Sequence, residues 1–303
     1  MKIKFGKQIE VEEMVNIDIS LFLFGKNHEK RVFTAYNRIN ANNKIRKSIA
    51  LLYKEDIDEK DSIRQFDSIL IKSHLDISEL LNRELQNFTN IQDLKLVVDY
   101  SCMTKPWYYT LILFLNKKNL GFKNITVYFV YTPSKFTKPF PPKPNSEVAP
   151  LPGKYIVPTD KPKALVVCLG YEQNKAEGII EHLDPKISYL FYTKPALDSD
   201  FVSTIEENNA NLLSTAKHIV EFPVNNLLKL ERELTSVYYL LKDEYSIIIA
   251  PLGPKPFTFI SMLLAIKFDN IDIWRVGSGS DINEYDREPI DENTFIISKV
   301  VFE

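Results

Sequence analysis

Apolar and polar positions along the first half of the chain switch repeatedly between two patterns. Short runs rich in β-branched and aromatic residues, at Asn16 to Phe24, Ser48 to Lys54, Leu94 to Tyr100 and Ile125 to Tyr131, have the length and content of buried strands,. Ile69 to Ser73 reads as a short strand or extended segment. Helical spacing separates these runs, over Glu29 to Ile39, Glu59 to Phe66 and Ile77 to Phe88. In the last of these, Ile77, Leu80, Leu81, Leu85 and Phe88 share one face,. Pro106 to Asn116 predicts a helix that is apolar nearly all round, which places it against a sheet.

The second half repeats the succession. Strands are expected at Ala164 to Leu169, Ile187 to Tyr192, Ser246 to Ala250 and Ile271 to Val276, with His218 to Phe222 extended. Helices are expected at Lys175 to His182, Ser199 to Ala216, Val224 to Leu241 and Pro256 to Ile266. Strands that alternate with helices this regularly imply a mainly parallel sheet with helices on its faces. The expected fold is therefore α/β, with two tandem Rossmann-like halves at residues 1–132 and 164–303. Residues 133–163 join them and carry nine of the 17 prolines, which suits an extended connector and neither a helix interior nor a central strand,.

Short stretches of the halves also align at nearly constant offset. Lys105-Pro106-Trp107 and Lys255-Pro256-Phe257 lie 150 residues apart, Arg83-Glu84-Leu85 and Arg232-Glu233-Leu234 lie 149 apart, and Gly25 and Gly170 lie 145 apart. Internal duplication accounts for the match; the alternative is two similar but unrelated halves.

Charge changes this picture little. Lys and Arg number 38 against 40 Asp and Glu, so no bulk field calls for a nucleic acid or a membrane, and any anion site has to be local,. Cys102 and Cys168 lack a metal-ligand spacing and are too few for a disulfide framework, which suits a reducing cytoplasm,. The four histidines are scattered, and neither a dinucleotide fingerprint, a Walker A loop nor a nucleophile elbow occurs, so neither a cofactor nor a metal is expected,.

The candidate chemistry lies where strands run into helices. Proline favours a helix's first position, which places Lys105 and Lys255 at or beside the caps, where the helix dipole disfavours a cation by a few tenths of a kcal/mol or more. An anion held between the ammonium and the free helix N–H groups would explain a lysine there. The other reading is that both lysines bend into solvent and only the proline matters. Gly25 and Gly170 end the first strand of each half and would either let a ligand approach the backbone or relieve a tight turn. Lys26, Asn27 and Glu172 are polar neighbours of those turns. The glycine-rich run Gly277 to Asp281 is either a closing loop or a bare linker.

Around Lys105, Asp99, Ser101 and Lys105 stand in a pattern that resembles the one after a late strand of CARF domains, the Rossmann-like sensors of cyclic oligonucleotides in bacterial antiviral defence. The second half keeps only Lys255 of the three, within a Leu252-Gly253-Pro254-Lys255 turn similar to that of other CARF members. Two such units in one chain also resemble the SAVED plan. The resemblance implies a nucleotide, cyclic or not, held between the halves. Its contacts would come from Asp99, Ser101, Thr104, Lys105, Gly25, Gly170, Glu172, Gly253 and Lys255, and a separately encoded effector would act as partner. A phosphodiester or nucleotide hydrolase using Ser101, Glu29 or Asp99, and a non-catalytic scaffold, remain as alternatives on the same framework.

Overall fold

The computed structural model describes residues 2–55, 66–117, 120–277, 279 and 285–303. The chain divides into two units: Met1–Lys135 with Tyr285–Glu303, and Phe136–Glu284.

Unit 1 starts with β1 (Ile3–Ile9), β2 (Asp18–Ile19), β3 (Leu21–Lys26) and, after a 3₁₀ turn over Lys30–Phe33, α1 (Thr34–Asn40). It continues with β4 (Lys44–Ile45), β5 (Ser48–Leu52), β6 (Asp67–Leu70), α2 (His74–Leu85), β7 (Asp93–Asp99), α3 (Lys105–Lys117) and β8 (Asn124–Tyr131). Unit 2 runs through β9 (Glu147–Pro150), β10 (Lys163–Cys168), α4 (Gln173–Leu183), β11 (Ile187–Thr193), α5 (Ser199–Asn208), α6 (Ala210–Thr215) and β12 (Ile219–Phe222). It ends with α7 (Leu227–Leu241), β13 (Ser246–Pro251), α8 (Lys255–Lys267) and β14 (Ile271–Gly277), after which β15 (Ile296–Phe302) belongs to unit 1 again. Among the described residues no helix is long and apolar enough to cross a membrane.

The two sheets follow one plan. In unit 1 the order is β1-β15-β8-β7-β3-β5-β6, and in unit 2 it is β12-β11-β10-β13-β14-β9. In each, five strands are parallel and the first of them, β3 or β10, sits beside the fourth, β7 or β13, which makes the order Rossmann-like with its switch point between those two,. An antiparallel strand closes the fifth in both cases: β15 on β8 and β9 on β14. In unit 1, β1 then pairs antiparallel with β15.

Burial on both faces explains why the central strands read as continuous apolar runs. All six residues of β3 are buried, as are all five of β5. Phe22, Phe24 and Ala50 turn toward Val32, Ala35, Tyr36 and Ile39 at the start and along α1, while α2 and α3 pack against each other. In unit 2, Leu165, Val167 and Leu190 turn toward Ala176, Ile179 and Leu183 of α4. The helices begin where capping chemistry allows. The Ser73 hydroxyl accepts from the Leu75 N–H while the Asp76 carboxylate takes the Ser73 N–H, and the Asn226 side chain accepts from the Lys229 N–H,.

Several expectations change. Residues 285–303, assigned by sequence to the second half, complete the first, because β15 lies inside the unit 1 sheet between β1 and β8. Unit 2 starts within the proline-rich segment, and that segment supplies β9; as an edge strand, it tolerates Pro150,. The helix expected over Ser199 to Ala216 is two helices, broken at Asn209, whose φ of −113° and ψ of 19° leave the helical region. The helix expected over Glu59 to Phe66 lies outside the described residues except for Phe66.

Candidate functional site at the carboxyl edges of the sheets

In each unit, the residues singled out by sequence gather at the carboxyl ends of the parallel strands, around the switch point where open α/β sheets bind ligands. Gly25 precedes the last residue of β3, Asp99 ends β7, and Lys105 is the first residue of α3. Gly170 follows β10 by two residues, Gly253 lies between β13 and α8, and Lys255 is the first residue of α8. Both lysines are half-buried, and so is Thr104. The proline is thus the second helical residue, a place where its missing N–H is still one the helix leaves unpaired. Pro254 is the N-cap of α8 and offers no side-chain acceptor to the helix N–H groups.

The glycines have a clear steric role. A Cβ on Gly170 would stand 2.5 Å from the Leu252 carbonyl oxygen, and one on Gly253 would stand 2.5 Å from Cys168 Sγ and 2.7 Å from the Leu169 carbonyl oxygen. The two turns of unit 2 therefore interlock, backbone on backbone, across the switch point. A Cβ on Gly25 would lie 3.0 Å from the Cys102 carbonyl group, so unit 1 closes the same way with slightly more room. None of the three has a positive φ, and close approach of the chain to itself is what excludes a side chain here.

Asp99 and Ser101 lie beneath this surface, 2% and 0% exposed. The Ser101 N–H and hydroxyl both donate to Asp99 Oδ1, and Ser101 Oγ accepts from the Thr132 N–H at 2.7 Å. The pair therefore ties the end of β7 to the end of β8. Sequence reading did not single out the residue that completes this network, Arg31. Its buried guanidinium donates to Glu29 Oε2 at 2.7 Å, to the Thr132 carbonyl at 2.7 Å and to the Ser101 carbonyl at 3.1 Å. A planar fork with donors in fixed directions is what lets one side chain join three loop ends, and lysine lacks it. The only trace of this in the sequence is one arginine among charged neighbours.

Tyr53, just beyond β5, was also missed. Its ring stacks on Trp107 with centroids 4.1 Å apart, and its hydroxyl donates to the Cys102 carbonyl at 2.6 Å. Burial pushes the phenol well above its ordinary value of 10, so it remains a donor,.

In unit 2, Glu172 is the N-cap of α4 and its carboxylate pairs with Lys175 in the first turn. Asn209, at the break between α5 and α6, donates to the Gly170 carbonyl at 2.9 Å, and Asn208 to the Tyr171 carbonyl at 2.7 Å. The helix break thus holds the turn after the first strand. Of the run Gly277 to Asp281, only Gly277 and Gly279 are described.

Neither models of protein families nor curated proteins match this chain.

Among the described residues no three His, Cys, Asp or Glu side chains converge as a metal site. A hollow of about 510 Å³ lies at the opposite, amino edge of unit 1, lined by residues 15–18 and 41–44, away from Lys105. Each carboxyl edge brings together a half-buried lysine at a helix start and a turn whose shape is set by close approach of the chain to itself.

Proposed function

We propose that this protein binds nucleotides without transforming them, with Lys105 and Lys255 each neutralising a phosphate at the carboxyl edge of its own unit. The observation that carries the reading is the repetition. In both units the strand beside the switch point runs directly into a helix whose first residue is a half-buried lysine followed by proline. The common strand order of the two sheets supports an internal duplication, and with it a CARF-like or SAVED-like sensor of a cyclic oligonucleotide in antiviral defence that signals to a separate effector. Asp99 and Ser101 would act through position, by fixing the turn that carries Thr104 and Lys105. A hydrolase reading is weakened by the same bonds, because the Ser101 hydroxyl donates to Asp99 in a fully buried setting,.

A thermal-shift series with mononucleotides and cyclic di-, tri- and tetranucleotides, on wild type and on the Lys105→Ala, Lys255→Ala double variant, tests this. A ligand at 100 times its dissociation constant stabilises by about 2.7 kcal/mol, which a melting curve resolves. The expected result is a nucleotide that raises the wild-type melting temperature, leaves the variant unmoved and is recovered intact. No shift in either protein would remove the nucleotide reading, and recovery of cleaved ligand would turn the assignment to a hydrolase.

A further inference from the structure

The segment that returns the chain to unit 1 lies on that unit's carboxyl edge. Ile290 N–H donates to the Pro133 carbonyl and Lys135 N–H to the Glu288 carbonyl, which fixes the segment beside the end of β8. A few residues earlier it reaches the turn after β3, where the Lys30 N–H donates to Asp286 Oδ1 at 3.2 Å and the Arg31 N–H to the Arg287 carbonyl at 3.3 Å. Since β7 lies between β3 and β8, the segment spans the end of β7 as well.

Its side chains match the edge in charge. Glu288 bridges Lys30 and Lys135, Asp286 lies 3.8 Å from the Lys30 ammonium, and Arg287 lies 3.8 Å from Glu29. The lysines and acids of these pairs are 42% to 59% exposed, so each pair is weak and screened by salt,. Beneath them the Arg31–Glu29 pair is 2% and 7% exposed and keeps its own partners in Ser101 and Thr132. An exposed acidic strap thus lies on a buried floor that it touches through the Arg31 N–H and Glu29, and whose guanidinium is held by Glu29, Ser101 and Thr132. In unit 2 the segment entering the corresponding antiparallel strand meets the turn at α4 through amides instead: Asn145 Nδ2 donates to the Asn174 carbonyl, and Asn174 Nδ2 to the Lys143 carbonyl. No carboxylate takes part in either of those bonds.

We infer that the stretch Tyr285–Glu288 is a built-in anionic competitor: its Asp286 and Glu288 carboxylates occupy cationic groups of unit 1 that a polyphosphate would otherwise take, so that unit 1 binds only by displacing its own strap. The inference rests on the anion-binding reading above and adds regulation to it. Unit 2 then binds first, through Lys255, and unit 1 responds at higher ligand concentration.

Inorganic tripolyphosphate serves as the probe, titrated by calorimetry into wild type, Glu288→Gln, Asp286→Asn with Glu288→Gln, and Lys255→Ala. Melting curves establish that each variant is folded, and the single Glu288→Gln change keeps side-chain shape if the double variant does not fold. Trypsin cleavage after Arg287, followed by mass spectrometry, reports the strap itself. The expected result is a second binding event at least tenfold tighter in the strap variants, together with faster cleavage after Arg287 when tripolyphosphate is added to wild type, opposite to the protection that ligands usually give. Unchanged affinity in the strap variants, or unchanged or slower cleavage, would overturn the strap while leaving a Lys255-dependent site intact. Absence of binding in every protein would instead overturn the anion-binding reading, and the strap with it.

Discussion

Gly170, Gly253 and Gly25 mark the point where two turns of the same chain come closest, and a single methyl group measures how close. The Cβ that Gly170→Ala adds would meet the Leu252 carbonyl oxygen at 2.5 Å, where neither partner is a flexible side-chain end. Overpacking of that kind costs about 1–3 kcal/mol. Chemical unfolding followed in each case through the unit that carries the change should show Gly170→Ala losing stability within that range, Gly25→Ala losing less because its contacts are 3.0–3.1 Å, and Gly6→Ala, with its nearest neighbour at 3.9 Å, losing little. Equal effects at all three positions would show that the turns do not interlock. The buried arginine makes a related point: Arg31 is tolerated in the interior because its charge is paired with Glu29 and its donors end on carbonyls,.

At the scale of elements, α2 is fastened to the sheet by charge as well as by its apolar stripe. Glu84 is 3% exposed and lies 2.7 Å from the ammonium of Lys47, the residue before β5, with Arg83 at 3.0 Å on its other oxygen. Burial alone would raise its pKa, but Lys47 and Arg83 outweigh burial and hold it below the ordinary glutamate value of 4.5. A carboxyl whose pKa falls on folding stabilises the folded state at and above its unfolded value, and that contribution fades as pH drops through the lowered one. Stability measured from pH 6 to pH 3 should therefore fall less steeply in Glu84→Gln than in wild type, and an identical acid limb would count against the assignment. The counterpart in α7, Glu233, follows the same Arg-Glu-Leu triplet but is half-buried rather than buried, so the aligned triplets differ in environment. Element type was legible from the apolar pattern for the parallel strands and the helices beside them, since a fully buried parallel strand and an apolar helix both leave long signatures, whereas the antiparallel strands β1, β9 and β15 were not anticipated. The break at Asn209 was not legible, because an asparagine inside a helical pattern carries no mark of the Gly170 carbonyl it will meet.

At the scale of the molecule, unit 2 is contiguous and is inserted between β8 and β15 of unit 1. The two units should respond differently to truncation. A fragment of residues 136–284 retains every strand of its sheet and should unfold cooperatively on heating, as seen by circular dichroism. Residues 1–135 alone lack β15, which leaves β1 without a neighbour and β8 as an unpaired edge, so this piece should not fold until a peptide of residues 285–303 is supplied,. A folded 1–135 fragment, or a disordered 136–284 fragment, would contradict this division.

Periodicity and local chemistry by themselves determined the α/β class, the order of the parallel strands and the helices beside them, and the placement of Lys105 and Lys255 where a strand turns into a helix, because each depends on residues near one another in the chain. Only the tertiary structure decided that β15 belongs with β8, that Arg31 links three loop ends, that Asp99 and Ser101 face inward, and that the glycines exclude a side chain in favour of a neighbouring turn. Each of those depends on a partner between 31 and 177 residues away. No local pattern encodes such a distance; it is set by which segments the folded sheet brings side by side.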